Sequence, residues 1–314
     1  MIRQIVNGIS SAEPDTCYCV QDGSTKRGEK IYVVKNGEAK LCWDRPGSRS
    51  NPYQIWTVDD LQKVKKDPGG YYLLMKDIVI PTGNTDYLPI LWEAPFTGVF
   101  DGQGHRIYSQ SYSSGTTVNM AGKTVKDNDP GSTSMRSYSC GLFGINMGII
   151  TRIDLTELPL FFTQSTNRYG VVVGSNRGIV DQIKLRTTNR LCNDRTHFSG
   201  GIAGHNSGTI QNCTNENGSY STDYMMGCAG GMACYTSGMI LNCSGYLNVK
   251  TGSTYQQGAL CYTDQPGSII RDFFYTKGPA IFDDYYKENR ERTNIKQVYS
   301  TSLFPKIDFS TVIY

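Results

Sequence analysis

The sequence predicts an all-β chain built on a right-handed, single-stranded parallel β-helix of about six coils, with a small N-terminal β module and capped ends. Three observations carry this. Glycine supplies 34 of the 314 residues and tyrosine 21, while charged residues are 19% of the chain. Such a composition favours turns and pleated faces and lacks the straight-chain residues that long helices need. A motif then returns every 30 residues through the middle of the chain. Within it an apolar residue, Gly, Asn, Gly and Ile follow in fixed order, which reads as a short strand, a tight turn and another strand. Such a unit cannot bury its own apolar side, whereas stacked units can.

Residues 1–45 read as a β-hairpin anchoring module, because KIYVVKNGEAKLCW places two β-runs around Asn36-Gly37, the strongest short hairpin signal. Residues 46–69 read as a linker and a capping helix near 57–66. Thr57 begins a helix with an acid, Asp60, at its third position. Val58, Leu61 and Val64 share a face, and Pro68-Gly69-Gly70 ends it. The open end of a β-helix is a row of exposed strand edges, and this helix is expected to plug it. Residues 276–314 are expected to cap the other end.

The β-helix itself is assigned to residues 70–275. GLFGINMGII (141–150), VVVGSNRGIV (171–180), GIAGHNSGTI (201–210) and GMACYTSGMI (231–240) align without gaps. Gly144, Gly174 and Gly204 occupy one position, Asn146, Asn176 and Asn206 the next marked one, and Gly148, Gly178, Gly208 and Gly238 the last. Glycine allows positive φ and close backbone approach, and Asn tolerates the left-handed region, so these residues are read as the fold-determining turns. GALCYTDQPGSII (258–270) is a fifth copy and GVFDGQGHRI (98–107) an earlier, divergent one. Cys213 and Cys243 fall on one ladder, and the motif matches Cys234 to Cys261 on another. A 30-residue unit is shorter than a propeller blade and lacks the leucine-rich pattern. Residues 111–137 lengthen one interval and read as a loop leaving the wall, a common carrier of recognition.

The repeat resembles the GLUG repeat of bacterial surface and mucosal-associated proteins. Tyr72, Leu74, Asp77, Ile78, Pro89, Ile90, Phe96, Gly98, Phe100, Asp101 and Gly102 match the strand and coil that precede it in such proteins. The likeness covers about residues 53–275 and implies the fold. Lys30, Tyr32, Val33, Asn36, Gly37, Ala39, Leu41 and Trp43 resemble a short module of tail and baseplate proteins in phages of clostridial-type bacteria. Together these resemblances imply a fibre- or spike-like component of a phage tail or tail-like particle. It would be held to a tail or baseplate protein through residues 1–45 and would bind a host-surface glycan or protein, with a homotrimer as the implied assembly. A polysaccharide-degrading tailspike-type enzyme and a bacterial cell-surface adhesin are the alternatives.

Net charge is +3, and the 31 basic and 28 acidic residues are dispersed, so no nucleic-acid footprint is present. No apolar run nears the roughly 18 residues of a membrane span, and MIRQIVNGISSAEPD has no secretory apolar core. Ten cysteines form no C-x2-4-C knuckle. They read as small buried hydrophobes, and no metal or cofactor is expected. Glycoside hydrolysis needs two carboxyl groups about 5–9.5 Å apart. Asp101 and Asp154 are the acidic candidates, yet Asp154 aligns with Lys184 and Asp181 with Thr151. No catalytic residue is assigned. His205 sits at a turn position that other copies fill with Ile145, Ser175 and Tyr235, which suits no catalytic base. The candidate ligand-binding residues are tyrosines of the C-terminal third: Tyr224, Tyr235, Tyr246, Tyr255 and Tyr262. Tyrosine offers flat contact area at low entropic cost.

Overall fold

A computed structural model of the chain describes residues 17–21, 24–28, 30–35, 38–81, 87–109, 118–119, 125–126, 138–158, 160–161, 168–186, 198–222, 228–251, 257–258, 261–264, 267–276, 291–297, 304–310 and 312. These fall into two compact units, Met1–Tyr53 and Gln54–Tyr314. The first holds two antiparallel hairpins, Cys17–Gln21 with Ser24–Gly28 and Lys30–Lys35 with Glu38–Asp44. Lys35 lies opposite Glu38. Only the second hairpin carries a sequence signal strong enough to anticipate.

The second unit is a parallel β-solenoid with three walls. The first wall stacks Tyr138–Cys140, Arg168–Gly170, Phe198–Gly200, Cys228–Gly230 and Gln257–Gly258. The second stacks Phe143–Asn146, Val173–Asn176, Ala203–Asn206, Ala233–Thr236 and Cys261–Asp264. The third is longer: Tyr71–Leu74 and Val99–Asp101 precede Ile149–Leu155, and Glu291–Gln297 follows Ile269–Tyr275. Register keeps the 30-residue period, as in Ile150 on Val180, Val180 on Ile210 and Ile210 on Ile240. Five strands in each of two walls make about four turns, fewer than the six expected. The early and late copies contribute rungs chiefly to the third wall.

The core is a set of ladders. Phe100, Ile150, Val180, Ile210, Ile240 and Ile270 are fully buried and stack one above another. Near the N-terminal end Phe100 meets Phe143 edge-on at 5.4 Å and stacks on Tyr72 at 6.3 Å. The residues read as a capping helix form a shorter, tighter element: a 3-10 turn Asp59–Gln62 followed by one α turn, Lys63–Lys66. Its own Leu61 and Val64 are fully buried, and the Tyr72 hydroxyl donates to the carbonyl of Asp67 at 2.6 Å. Thr57 and Asp60 bond reciprocally: the Asp60 N–H reaches Thr57 Oγ1 at 3.3 Å and the Thr57 N–H reaches Asp60 Oδ2 at 2.9 Å. Partial burial pushes the Asp60 carboxyl upward, but Lys63 and the N–H groups of Trp56 and Thr57 outweigh it and hold Asp60 at about 2.

Two expectations about the repeat need correction. The motif turns do not use the left-handed region, since the described glycines with positive φ are Gly47, Gly104 and Gly267. Glycine is required there by close approach instead. A Cβ on Gly178 would lie 2.1 Å from the Gly148 carbonyl oxygen one turn away, and one on Gly208 would lie 2.2 Å from that of Gly178. The asparagines form a buried amide ladder: Asn146 Nδ2 donates to Asn176 Oδ1 and Asn176 Nδ2 to Asn206 Oδ1, both at 2.8 Å, and Asn206 Nδ2 to Thr236 Oγ1 at 3.0 Å. Each amide also donates to a backbone carbonyl of the next turn, those of Ile179, Thr209 and Met239. The second correction concerns Cys261, which pairs with Ala233 rather than Cys234. Gly258 stacks on Gly230, continuing the row Gly170–Gly200–Gly230. A Cβ on Gly200 would meet the Ala203 carbonyl at 1.7 Å. The row therefore demands glycine, and the last copy keeps it at Gly258.

Candidate functional site

The left-handed residues stand elsewhere in the repeat, on one row of the third wall. Arg152, Gln182, Asn212, Asn242 and Asp272 are spaced by 30 residues and have φ between 48° and 56°. Each interrupts its strand once, so that inward residues occur on both sides of the bend: Ile150 and Ile153 in one turn, Ile210 and Cys213 two turns on. Non-glycine residues adopt this conformation at a cost, and Asn and Asp bear it most easily. The sequence signal was the pair of Asn-Cys-Thr and Asn-Cys-Ser tripeptides at Asn212 and Asn242, one repeat apart. The amides chain along the row: Asn242 Nδ2 donates to Asn212 Oδ1 at 2.8 Å, and Asn212 Nδ2 donates to Asp181 Oδ1 at 2.7 Å.

Beside this row lies the C-terminal segment, residues 304–310. Phe304 is buried, and the Phe309 carbonyl accepts from Arg152 Nη1 at 2.9 Å. Arg152 is itself fixed by a bidentate pair with Asp101, whose carboxylate is fully buried. The Phe309 ring approaches Gly104, where φ is +81° and an added Cβ would come within 3.2 Å of it. Between these two attachments Pro305, Lys306, Ile307 and Asp308 border a hollow of about 220 Å³ whose opposite side is Gln182, Asn212, Thr214 and Asn242. An adjoining hollow of about 400 Å³ reaches Asp154, Lys184 and Glu216. The segment thus turns a flat wall into a groove. The C-terminal sequence gave no sign of this lateral path.

The charged groups are mostly tied to one another. Glu216 meets Lys184 at 3.3 Å and Arg186 at 2.9 Å. Asp154 pairs in register with Lys184 and accepts from the Thr156 N–H at 2.9 Å. Asp181 is fully buried and accepts from Thr151 Oγ1 at 3.0 Å. Of the two acidic candidates, Asp101 is closed off by Arg152, and Asp154 lines the larger hollow together with Glu216, an acid the sequence did not single out.

Elsewhere, Asp77 accepts from the Arg106 N–H at 3.0 Å and from Arg106 Nε at 2.9 Å, with His105 Nδ1 at 3.4 Å. Partial burial raises the Asp77 carboxyl, but the Arg106 contacts prevail and leave it below the ordinary range. His205 stacks between Ser175 and Tyr235, while His197 lies outside the described residues. Cys213 and Cys243 are buried free thiols in register, with the Cys213 N–H 3.4 Å from Cys243 Sγ. Burial, and then the neighbouring Cys243, pushes the Cys213 thiol well above its usual range, which leaves it protonated and inert. Among the described residues no three His, Cys, Asp or Glu side chains cluster so as to hold a metal ion. Of the candidate tyrosines, Tyr235 is half-buried on the second wall. Tyr262 belongs to the next strand of that wall and Tyr246 to a strand of the third. Tyr224 and Tyr255 lie outside the described residues.

No protein-family model matches the chain, and no curated protein matches it in sequence. Among solved structures it is similar to the 1.30 Å crystal structure of a Bacteroides ovatus protein provisionally named an immunoglobulin A1 protease. Identity is 14%, the TM-score is 0.47, and the match covers 80% of this chain and 86% of that one. A likeness at that level says nothing about what this chain binds or cleaves.

Proposed function

We propose that this chain is a structural and receptor-binding component, fibre- or spike-like, of a phage tail or tail-like particle. In this reading the solenoid binds a glycan or protein of the host surface, and residues 1–45 attach it to a tail or baseplate protein. The observation that carries it is the groove beside residues 304–310, an amide-lined recess on a rigid wall whose neighbouring charges are paired. Rigid walls with polar recesses favour recognition because little conformational entropy is lost on binding. The separate compact unit at the N-terminus supports an attachment role. Two-stranded ribbons are marginal alone, so such a unit gains order from a neighbour, either copies of itself in a homotrimer or a baseplate partner.

One observation favours a second reading, a polysaccharide-degrading enzyme: Asp154 and Glu216 share the larger hollow. Incubation with isolated host capsule or cell-wall polysaccharide separates the two. Retention of the protein on polymer of unchanged length supports recognition. Release of oligosaccharides that is lost in both Asp154→Asn and Glu216→Gln makes the chain an enzyme.

A further inference from the structure

We infer that the groove takes a neutral, unbranched oligosaccharide laid along the solenoid axis, with one sugar ring facing each rung. This rests on the receptor-binding reading and names the class of ligand. Rungs repeat at about 4.8 Å, a spacing commensurate with one pyranose unit of an extended glycan. On the wall, Asn212 and Asn242 present amides at that repeat. Each carboxamide has two N–H donors and two acceptor lone pairs. The ladder uses one N–H of each, from Asn242 to Asn212 and from Asn212 to Asp181. The second N–H and the remaining lone pairs match adjacent ring hydroxyls, which both donate and accept. Across the groove Pro305 and Ile307 are half-buried and supply an apolar surface for the C–H face of a ring.

Charge selects a neutral chain. Lys306 and Asp308 stand two residues apart on the same segment, and Glu216 is already paired with Lys184 and Arg186. With Arg186 counted, Asp154, Glu216 and Asp308 are balanced by Lys184, Arg186 and Lys306 around the two hollows, so the groove offers no net charge to favour uronic or phosphorylated polymers. Arg152 holds the segment that borders the groove by its bond to the Phe309 carbonyl.

The test titrates the full chain with three neutral series, cello-, malto- and chito-oligosaccharides, and with oligogalacturonates as an anionic fourth, from disaccharide to hexasaccharide, by calorimetry and by NMR of the Asn side-chain amides. Affinity for one series should rise with length and then level off, with the Asn212 and Asn242 amide signals shifting. Asn242→Gly, which suits the left-handed backbone, should weaken that binding at least about tenfold without lowering the melting temperature. Asn242→Asp, closer in shape, should do the same and guards against a purely structural effect of the glycine. Absence of binding in all three series, binding indifferent to both variants, or a preference for an anionic oligosaccharide overturns the inference. Host-surface retention that survives both variants overturns the subsite but leaves the receptor reading standing. A chain that binds oligosaccharide here yet never binds host cells overturns the receptor reading alone.

Discussion

At the scale of single residues, the solenoid is held by groups that only one side-chain type can supply. Asn176 accepts from Asn146 and donates to Asn206 and to the Thr209 carbonyl, all in a fully buried position. Buried polar groups left without partners cost about 1–3 kcal/mol each. Asn176→Ala should therefore lower the unfolding free energy by about 3 kcal/mol in denaturant titration. Asn242→Gly, on the outer row, should cost less than about 1 kcal/mol, because glycine suits its positive φ and the amide bond lost, to Asn212, is exposed. Glycines divide in the same way. Gly178→Ala places a methyl 2.1 Å from a backbone oxygen that cannot move without parting two rungs, and should prevent folding or cost more than about 4 kcal/mol. Gly267 has open space around it but φ of +87°, so Gly267→Ala should cost only about 1 kcal/mol.

At the scale of elements, the cap is a short turn whose stability lies in a few bonds. Asp60 has a folded value of about 2 against an ordinary 3.8. Its contribution is therefore complete above about pH 4 and disappears as pH falls from there through 2. Asp77, also depressed, acts in the same direction. Thermal melts of the wild type should lose stability steeply over that window, and Asp60→Asn should melt lower at neutral pH with a shallower acid limb. The cap was legible in sequence because Thr57 and Asp60 at a spacing of three form a reciprocal pair whatever turn follows. The rungs were legible because apolar ladders repeat identities as well as patterns. The chemical role of the motif was not. Gly and Asn next to one another suggest positive φ, whereas here glycine answers inter-rung crowding and Asn answers buried carbonyls. Both demands come from the neighbouring turn and leave no local trace. The left-handed row escaped notice because Arg152, Gln182, Asn212, Asn242 and Asp272 share a backbone state without sharing chemistry. The groove escaped because half of it is a segment that lies about 120 residues after Lys184 and about 90 after Glu216.

At the scale of the whole molecule, neighbouring turns within Gln54–Tyr314 support one another, and the C-terminal segment ties late sequence back to the first turns at Gly104 and Arg152. In the proposed reading Gln54–Tyr314 serves display and the hairpins before it serve attachment. A chain lacking residues 1–45 should then keep a cooperative melt and its host-surface binding while failing to join the particle. The measurement that bears most directly on the account is competition for adsorption by the purified full-length chain. Added in excess to host cells before the cognate particle, it should block particle adsorption in proportion to its own retention, and antibody raised against it should label the tail end of the particle. Unimpaired adsorption at saturating protein, together with particles that carry no label, would contradict the account.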